Sequence, residues 1–215
     1  MQPARTPSSP RQRATLGNSR SRDTRQALVR AALQLWSAGD FDEAYEASTA
    51  ADIARAAGVS KGTFYFHFAS KEDLLAEMAS ATAQTVIDEI EDGIGKELPL
   101  RSLTDRVAAA LARRVTRAPR AAALRAGTLG FSSRAGAVTL AGPRLGVAFE
   151  ALVRYGKQRG ELGASIDEQE GAAMLTAVSA EAIIRWGAGN RSAAWLRRTL
   201  RNRAQVVLDG MTHTE

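Results

Sequence analysis

Apolar residues recur at helical spacing along most of the chain. Leu28, Ala31, Ala32, Leu35 and Trp36 share one face of a helix predicted over 24–38. The same criteria predict helices over 49–58, 60–67, 70–93, 102–116, 119–130, 143–159, 167–187 and 192–208. Few segments alternate with a period of two, and alanine is abundant. The sequence therefore predicts an all-α fold.

Short polar motifs mark the starts of several predicted helices. Thr49 and Asp52 have the spacing of a capping box. Ser102 with Asp105, and Ser165 with Glu168, have the same spacing and predict two further helix starts.

The segment from Ser48 to Leu75 has the spacing of a helix-turn-helix. Ala54 is a small residue where two helices cross, Gly58 is free to take a positive φ in the turn, and Phe64 is an apolar anchor. Phe64 and Phe68 fall on one side of the second helix. The outward residues are then Gly62, Thr63, Tyr65 and Phe66, flanked by Lys61 and His67.

The composition of this outward face is better suited to contact with DNA than to exposure to water. Gly62 lets a nucleic-acid backbone approach, the hydroxyl groups and Lys61 can reach phosphates, and Phe66 can contact a thymine methyl group. A purely structural role stays open for three residues of this segment. Tyr65 could pack on the first helix, Phe66 could be a core residue if the helix is rotated, and Lys71 could neutralise Glu72 or Asp73 on the surface.

Residues 59–68 (VSKGTFYFHF) and 70–75 (SKEDLL), with Ser48-Thr49 and Asp52-Ile53-Ala54 before them, resemble the DNA-binding domain of tetracycline-repressor (TetR) family regulators. The resemblance covers about residues 24–78. It implies an all-α homodimer in which three N-terminal helices bind DNA and a larger C-terminal helical domain dimerises and holds a small effector.

The resemblance also implies roles for individual residues. Thr49 would supply a DNA-contacting hydroxyl group. Lys61, Gly62, Thr63 and Phe66 would lie near bases, and Tyr65, His67 and Lys71 would lie on phosphates.

The segment 40–47 departs from the family pattern. An aromatic residue, Tyr45, stands three positions before Ser48, but Ala44 replaces the glycine that usually precedes it. The acidic residues 40–43 resemble an insertion, which would either lengthen the first helix or form a loop.

Three regions follow from these patterns. Residues 1–22 contain five arginines and no acidic residue, which predicts a flexible basic arm. Residues 23–76 would form the DNA-binding domain, and residues 77–215 the helical ligand-binding and dimerisation domain. The net charge of +6 lies mostly in the last region, so charge alone does not locate a DNA-binding surface.

The C-terminal region would supply the dimer and the effector site. A stripe on the last helix and small apolar faces over 172–183 predict a four-helix interface between two protomers. The stripe consists of Leu196, Leu200, Ala204, Val207, Leu208 and Met211. Aromatic candidates for lining an effector cavity are Phe131, Phe149, Tyr155 and Trp186, and Arg185 could meet an anionic group.

Composition excludes several other classes of protein. The chain has no cysteine and only two histidines, His67 and His213, so disulfides, thiolate zinc sites and histidine-built metal sites are not expected. No catalytic motif or phosphate-binding loop is present. No stretch is apolar enough to span a bilayer, and residues 1–22 lack the apolar run of a signal peptide.

We therefore expect a cytoplasmic regulator without a cofactor. It would bind a near-palindromic DNA operator as a homodimer, most simply as a repressor that a small molecule releases. A non-switching DNA-binding protein and, less plausibly, an all-helical enzyme are the alternatives.

Overall fold

The computed structural model describes residues 10–132 and 144–212, with side chains for 20–128 and 144–212. These residues form ten helices and no strand, which confirms the all-α prediction. The helices are α1 (Pro10–Trp36), α2 (Phe41–Ala47), α3 (Ala50–Ala56), α4 (Lys61–His67), α5 (Lys71–Gly95), α6 (Leu100–Val115), α7 (Arg120–Ser132), α8 (Leu145–Gln158), α9 (Glu168–Gly187) and α10 (Ala193–Asp209).

The chain divides into two compact units, Met1–Lys71 and Glu72–Glu215. It passes from one to the other at the start of α5. The sequence placed this boundary after residue 76, which lies inside α5.

Helix α1 supports the first unit. It contacts α2 and α3, and α3 in turn packs on α4. Leu28, Ala32 and Trp36 are fully buried along the face that the apolar pattern predicts. Residues 10–22, predicted as part of a flexible arm, continue α1 instead. Pro10 suits the first helical position, and arginine, glutamine and alanine favour the helix that follows. Residues 1–9 of the predicted arm lie outside the described residues.

The segment 40–47 forms a helix of its own, α2, and neither lengthens α1 nor forms a loop. The Asp40 carboxylate starts it by accepting hydrogen bonds from the backbone N–H groups of Asp42 and Glu43, both at 3.0 Å. Phe41 and Tyr45, one turn apart, place their rings 5.9 and 4.9 Å from the Trp36 ring. These aromatic contacts fold the acidic segment back against α1.

The connection between α3 and α4 is a left-handed turn at Gly58. Its φ is +71°, as the sequence predicts for this position. The N–H of Gly58 donates to the carbonyl of Arg55, and the N–H of Val59 donates to that of Ala54, at 3.1 and 2.9 Å. These two bonds form a Schellman motif, which ends α3 and sets the direction of the chain into α4.

Helix α9 lies at the centre of the second unit, where it contacts α7, α8 and α10, while α10 also packs on α6. Arg120 secures the C-terminal end of α9. Its guanidinium donates to the carbonyl oxygens of Trp186, Gly189 and Arg191 at 2.8, 2.8 and 2.5 Å. The same group lies 4.5 Å above the Trp186 ring.

The predicted dimer stripe on α10 belongs largely to the core of the monomer. Leu196, Leu200, Leu208 and Met211 are buried within the second unit, and Ala204 and Val207 pack against that core. The stripe is apolar because α10 must bury one face against α6 and α9.

Two predicted helix starts are wrong. Helix α6 begins at Leu100, before Ser102, and the Leu100 N–H donates to the Glu161 carboxylate at 2.9 Å. Helix α9 is capped by Asp167, whose side chain accepts from the Glu170 N–H, rather than by Ser165. In both cases a competing acceptor satisfies the free N–H groups of the first turn.

Replacing Gly58 by alanine should destabilise the first unit. A Cβ at a φ of +71° is strained even though it would meet no atom within 4 Å. We expect a loss of about 1–2 kcal/mol in the free energy of unfolding, measured by urea denaturation. Gly39→Ala is the control, because Gly39 has an ordinary φ and equally open surroundings. Equal stability of the two variants would contradict the role assigned to the turn.

Candidate nucleic-acid interface

Helix α4 is short and is fixed at its first residue. The Ser60 hydroxyl accepts a hydrogen bond from the Thr63 N–H at 3.0 Å, which caps the helix. Phe64 and Phe68 are buried, with ring centroids 6.0 Å apart. Burial of these two rings fixes the rotation of α4 and leaves its opposite face outward.

The outward face of α4 carries two exposed aromatic rings. Phe66 is 81% exposed and Tyr65 53% exposed. Lys61 is exposed beside them, with its ammonium 5.8 Å from the Tyr65 ring centroid. The alternative that Phe66 is a core residue is therefore wrong. A phenyl ring this exposed indicates a surface suited to a partner.

Nothing within the described protein explains the glycine at position 62. A Cβ there would meet only the Ser60 hydroxyl, at the ordinary distance of 3.6 Å. Glycine inside a helix costs about 0.5–1 kcal/mol relative to alanine. Thr63, the next predicted contact, is half-buried, and its hydroxyl lies 2.9 Å from that of Ser60.

Arg25 of α1 secures the other end of α4, and the sequence analysis missed this residue. Its guanidinium donates to the His67 carbonyl oxygen at 3.0 Å and lies 4.5 Å above the Phe68 ring. Burial, and then the charge of Arg25, lower the pKa of His67. The lowered pKa favours the neutral imidazole in the free protein.

The predicted DNA-contacting hydroxyl group, Thr49, caps α3. It accepts from the Asp52 N–H at 3.2 Å and donates to the Asp52 carboxylate at 2.6 Å, while the Thr49 N–H donates to the same carboxylate. This is the predicted capping box. The hydroxyl proton is committed to Asp52, so donation to a phosphate would require that bond to break.

Lys71 is half-buried and caps the end of α2. Its ammonium donates to the carbonyl oxygens of Tyr45 and Glu46, at 2.6 and 3.5 Å, and lies 4.6 Å from the Tyr45 ring centroid. The structure thus gives Lys71 a role in holding α2. Its predicted phosphate contact stays a prediction.

The residues proposed for an effector site do not line the cavity that the second unit contains. Phe149, Tyr155 and Trp186 are buried in the core, and the Tyr155 hydroxyl donates to the Leu98 carbonyl at 2.9 Å. Arg185 is exposed and lies 3.5 Å from the Glu181 carboxylate. Their role at an effector site stays a prediction, and smaller residues line this cavity instead. The side chain of Phe131 lies outside the described residues.

Two findings concern other kinds of site. In the described ranges, no group of three or more histidine or acidic side chains is placed to hold a metal ion. No helix among these residues is long and apolar enough to cross a membrane.

Residues 28–78 match the family described as "Bacterial regulatory proteins, tetR family". Two curated relatives match as well. TcmR, an HTH-type transcriptional regulator of Streptomyces glaucescens, is 36% identical over 92 residues, which cover 43% of this chain and 39% of TcmR. YwcC, an uncharacterized HTH-type regulator of Bacillus subtilis, is 59% identical over 35 residues, 16% of either chain. The chain thus spans less than two thirds of the length of these relatives.

The fold agrees with this match over most of the chain. The crystal structure of Thermus thermophilus FadR, a TetR-family repressor in complex with lauroyl-CoA, superposes with a TM-score of 0.67. The alignment covers 89% of this chain and 96% of FadR at 21% sequence identity. The family match itself lies within residues 28–78, and the superposition shows that most of the chain shares the same fold. The match confirms the sequence resemblance.

Thr49→Val should weaken the start of α3. We expect a loss of about 1 kcal/mol in the free energy of unfolding, with Thr49→Ser much closer to the wild type. The Thr49 hydroxyl, followed by its backbone N–H, lowers the pKa of Asp52. A lowered carboxyl pKa stabilises the fold above its ordinary value, and this stabilisation is lost as the pH falls through the folded-state pKa.

The advantage of the wild type over Thr49→Val should therefore shrink in acid. Denaturation of the three proteins at neutral pH and at pH values below the ordinary aspartate range measures it. A difference that is absent at neutral pH, or that grows in acid, would contradict the role of the capping box.

Proposed function

We propose that this chain is a DNA-binding transcriptional repressor. It recognises a near-palindromic operator as a homodimer, with α4 of each protomer in the major groove, and a small-molecule effector releases it. The observation that carries the proposal is the outward face of α4, where an exposed Phe66 adjoins a Gly62 that the described protein does not require. The family match supports the same conclusion.

The dimensions of α4 fit a major groove. Its seven residues extend about 10 Å at 1.5 Å per residue, within the groove width of about 12 Å. Phe66 offers an apolar contact for a thymine methyl group, and Lys61 a charge for phosphate. Ser60 at one end and Arg25 at the other hold the helix in advance, so little conformational entropy is lost on binding.

The dimer is proposed through α9 and α10, on the face that the monomer leaves exposed. The Arg203 guanidinium donates to the Val178 carbonyl at 3.2 Å, and Met211 lies beside Gly171. This antiparallel register places Val206, 71% exposed, near Met174, which is 53% exposed. Two copies of such a face can meet across a two-fold axis, which matches a near-palindromic DNA site.

The switch is proposed to lie in the second unit. A cavity of about 330 Å³ there falls within the size range of small-molecule sites. Its lining includes Met78 and Thr82 of α5, the helix in which the chain passes from the first unit to the second. A ligand releases DNA only if it binds the DNA-incompetent state more tightly. By reciprocity, operator DNA must weaken binding of that ligand by the same factor.

Gly62→Ala should separate folding from DNA binding. Alanine stabilises the helix, so the melting temperature should hold or rise, yet the new methyl group would lie between α4 and the DNA backbone. We expect operator affinity to fall by at least about tenfold, which is 1.4 kcal/mol. Operators selected from random DNA, followed by fluorescence anisotropy, provide the measurement. Unchanged affinity in a stable Gly62→Ala protein would exclude the proposed docking.

Two companion variants serve as controls in the same assay. Phe66→Ala should relax the preference of the protein for particular base pairs. Lys61→Ala should instead lower the affinity for all DNA sequences alike, and it should reduce the slope of log affinity against log salt concentration by about one. A protein that binds random and selected DNA equally would instead be a non-specific binder.

Val206→Lys should disrupt the dimer without unfolding the protomer. Val206 is exposed in the monomer, so the substitution places no charge in the core. We expect a folded monomer by sedimentation at micromolar concentration, with weakened operator binding. Gln84→Lys adds the same charge at an exposed position of α5 and should leave the dimer intact. A Val206→Lys protein that remains dimeric would place the interface elsewhere.

A further inference from the structure

The cavity of the second unit is lined chiefly by small and aliphatic side chains. Alanines and glycines from α7, α8 and α9 leave the space open, and Met78, Val115 and Ile183 add larger apolar surfaces. No aromatic side chain lies among its described lining residues. Such walls suit a flexible aliphatic group better than a planar ring, which gains most from stacking on aromatic side chains.

One cation in this lining, Arg114, differs from the other arginines of α6. Arg106 lies 2.6 Å from the Glu89 carboxylate and 2.7 Å from that of Asp92, and Arg113 reaches Glu89 at 4.0 Å. Arg114 is half-buried and, within the described ranges, forms no ion pair or hydrogen bond. The C-terminal turn of α6 gives it only the partial negative charge of a helix end.

The surroundings of Arg114 disfavour its positive charge and so favour binding of an anion beside it. Burial, and then the positive charge of Arg117, lower the pKa of Arg114. A guanidinium partly removed from water without a partner destabilises a fold more than one that is paired. The cavity therefore contains a binding group for negative charge that the described residues do not occupy.

The remaining polar groups limit the charge and shape of the ligand. Glu150 and Arg144 also line the cavity, so its described lining carries two cations and one anion. The hydroxyls of Thr82 and Thr176 donate to carbonyl oxygens of their own helices, at 2.9 and 2.7 Å. They can only accept further hydrogen bonds. One excess positive charge matches a monoanion better than a phosphate dianion, and a carboxylate can form a bidentate pair with one guanidinium.

We propose that the cavity binds an aliphatic monocarboxylic acid, with the carboxylate paired to Arg114 and the hydrocarbon among Met78, Val115 and Ile183. This inference rests on the proposed function in taking the cavity as the effector site. It defines the ligand class by a charged head group and a non-aromatic tail.

The test compares probes that differ in the head group alone. Straight-chain carboxylates from hexanoate to dodecanoate, the matching primary alcohols and the matching primary amines are titrated into the full-length protein by calorimetry. At the best chain length, the carboxylate should bind at least about tenfold more tightly than the alcohol, and the amine should bind most weakly. Equal affinity for acid and alcohol, or no binding of any probe, overturns the inference.

Variants assign the preference to Arg114. Arg114→Met keeps an unbranched apolar stem and removes the charged guanidinium, so the acid and the alcohol should bind it equally well. Arg114→Lys should retain part of the preference, because an ammonium pairs with one carboxylate oxygen at a time. Arg113→Met, on the adjacent exposed position, should behave like the wild type. A preference that survives in Arg114→Met overturns the assignment.

Thermal melts distinguish a binding residue from a structural one. Arg114→Met removes a desolvated and unpaired charge, so its melting temperature should equal or exceed that of the wild type. A large loss of stability in both Arg114→Met and Arg114→Lys would instead assign Arg114 a structural role and overturn the proposal.

Operator binding by the unliganded protein is measured in the same samples. If the unliganded protein selects an operator but shows no preference for acids, the ligand inference fails and the proposed repressor stands. If it selects no DNA, the proposed function fails, and the head-group comparison still decides what the cavity binds.

Discussion

The left-handed backbone at Gly58 determines where the outward side chains of α4 point. The two hydrogen bonds of the Schellman turn end α3 and set the direction of the chain three residues before α4 begins. Ser60 then fixes the first turn of α4, and Arg25 holds its last carbonyl groups. Tyr65 and Phe66 are exposed because Phe64 and Phe68 occupy the only face that this geometry turns inward. The candidate interface thus depends on backbone geometry at one residue outside it.

The sequence predicts the parts of this arrangement that depend on local chemistry. Neighbouring residues alone reveal a glycine at the end of a helix, a capping box or an apolar spacing of three or four residues. Gly58, Thr49 and Phe64 have these predicted roles in the structure. Contacts between residues distant in sequence are not readable in this way. Nothing near Lys71 predicts its bond to the Tyr45 carbonyl, and nothing near Glu97 predicts its positive φ of 52°.

The cavity of the second unit shows the same limit on prediction from the sequence. Aromatic residues stand out in a sequence, but Phe149, Tyr155 and Trp186 are large enough to fill the core completely. A cavity is formed where small residues from several helices face one another, and no single helix carries that signal. Arg114 is likewise one arginine among several on α6, and only the positions of Glu89 and Asp92 show that its neighbours are paired.

Helix α2 has a consequence for how this domain tolerates changes in length. Asp40 caps the first turn of α2, and the aromatic residues of α2 pack on Trp36. The Trp36 indole N–H also donates to the Ser48 hydroxyl at 2.8 Å, directly before the cap of α3. After α2 the chain therefore lies again beside Trp36, at the end of α1. Loss of this segment would remove two buried rings, Phe41 and Tyr45, together with the carbonyl group that Lys71 binds, so α2 is an integral part of the first unit.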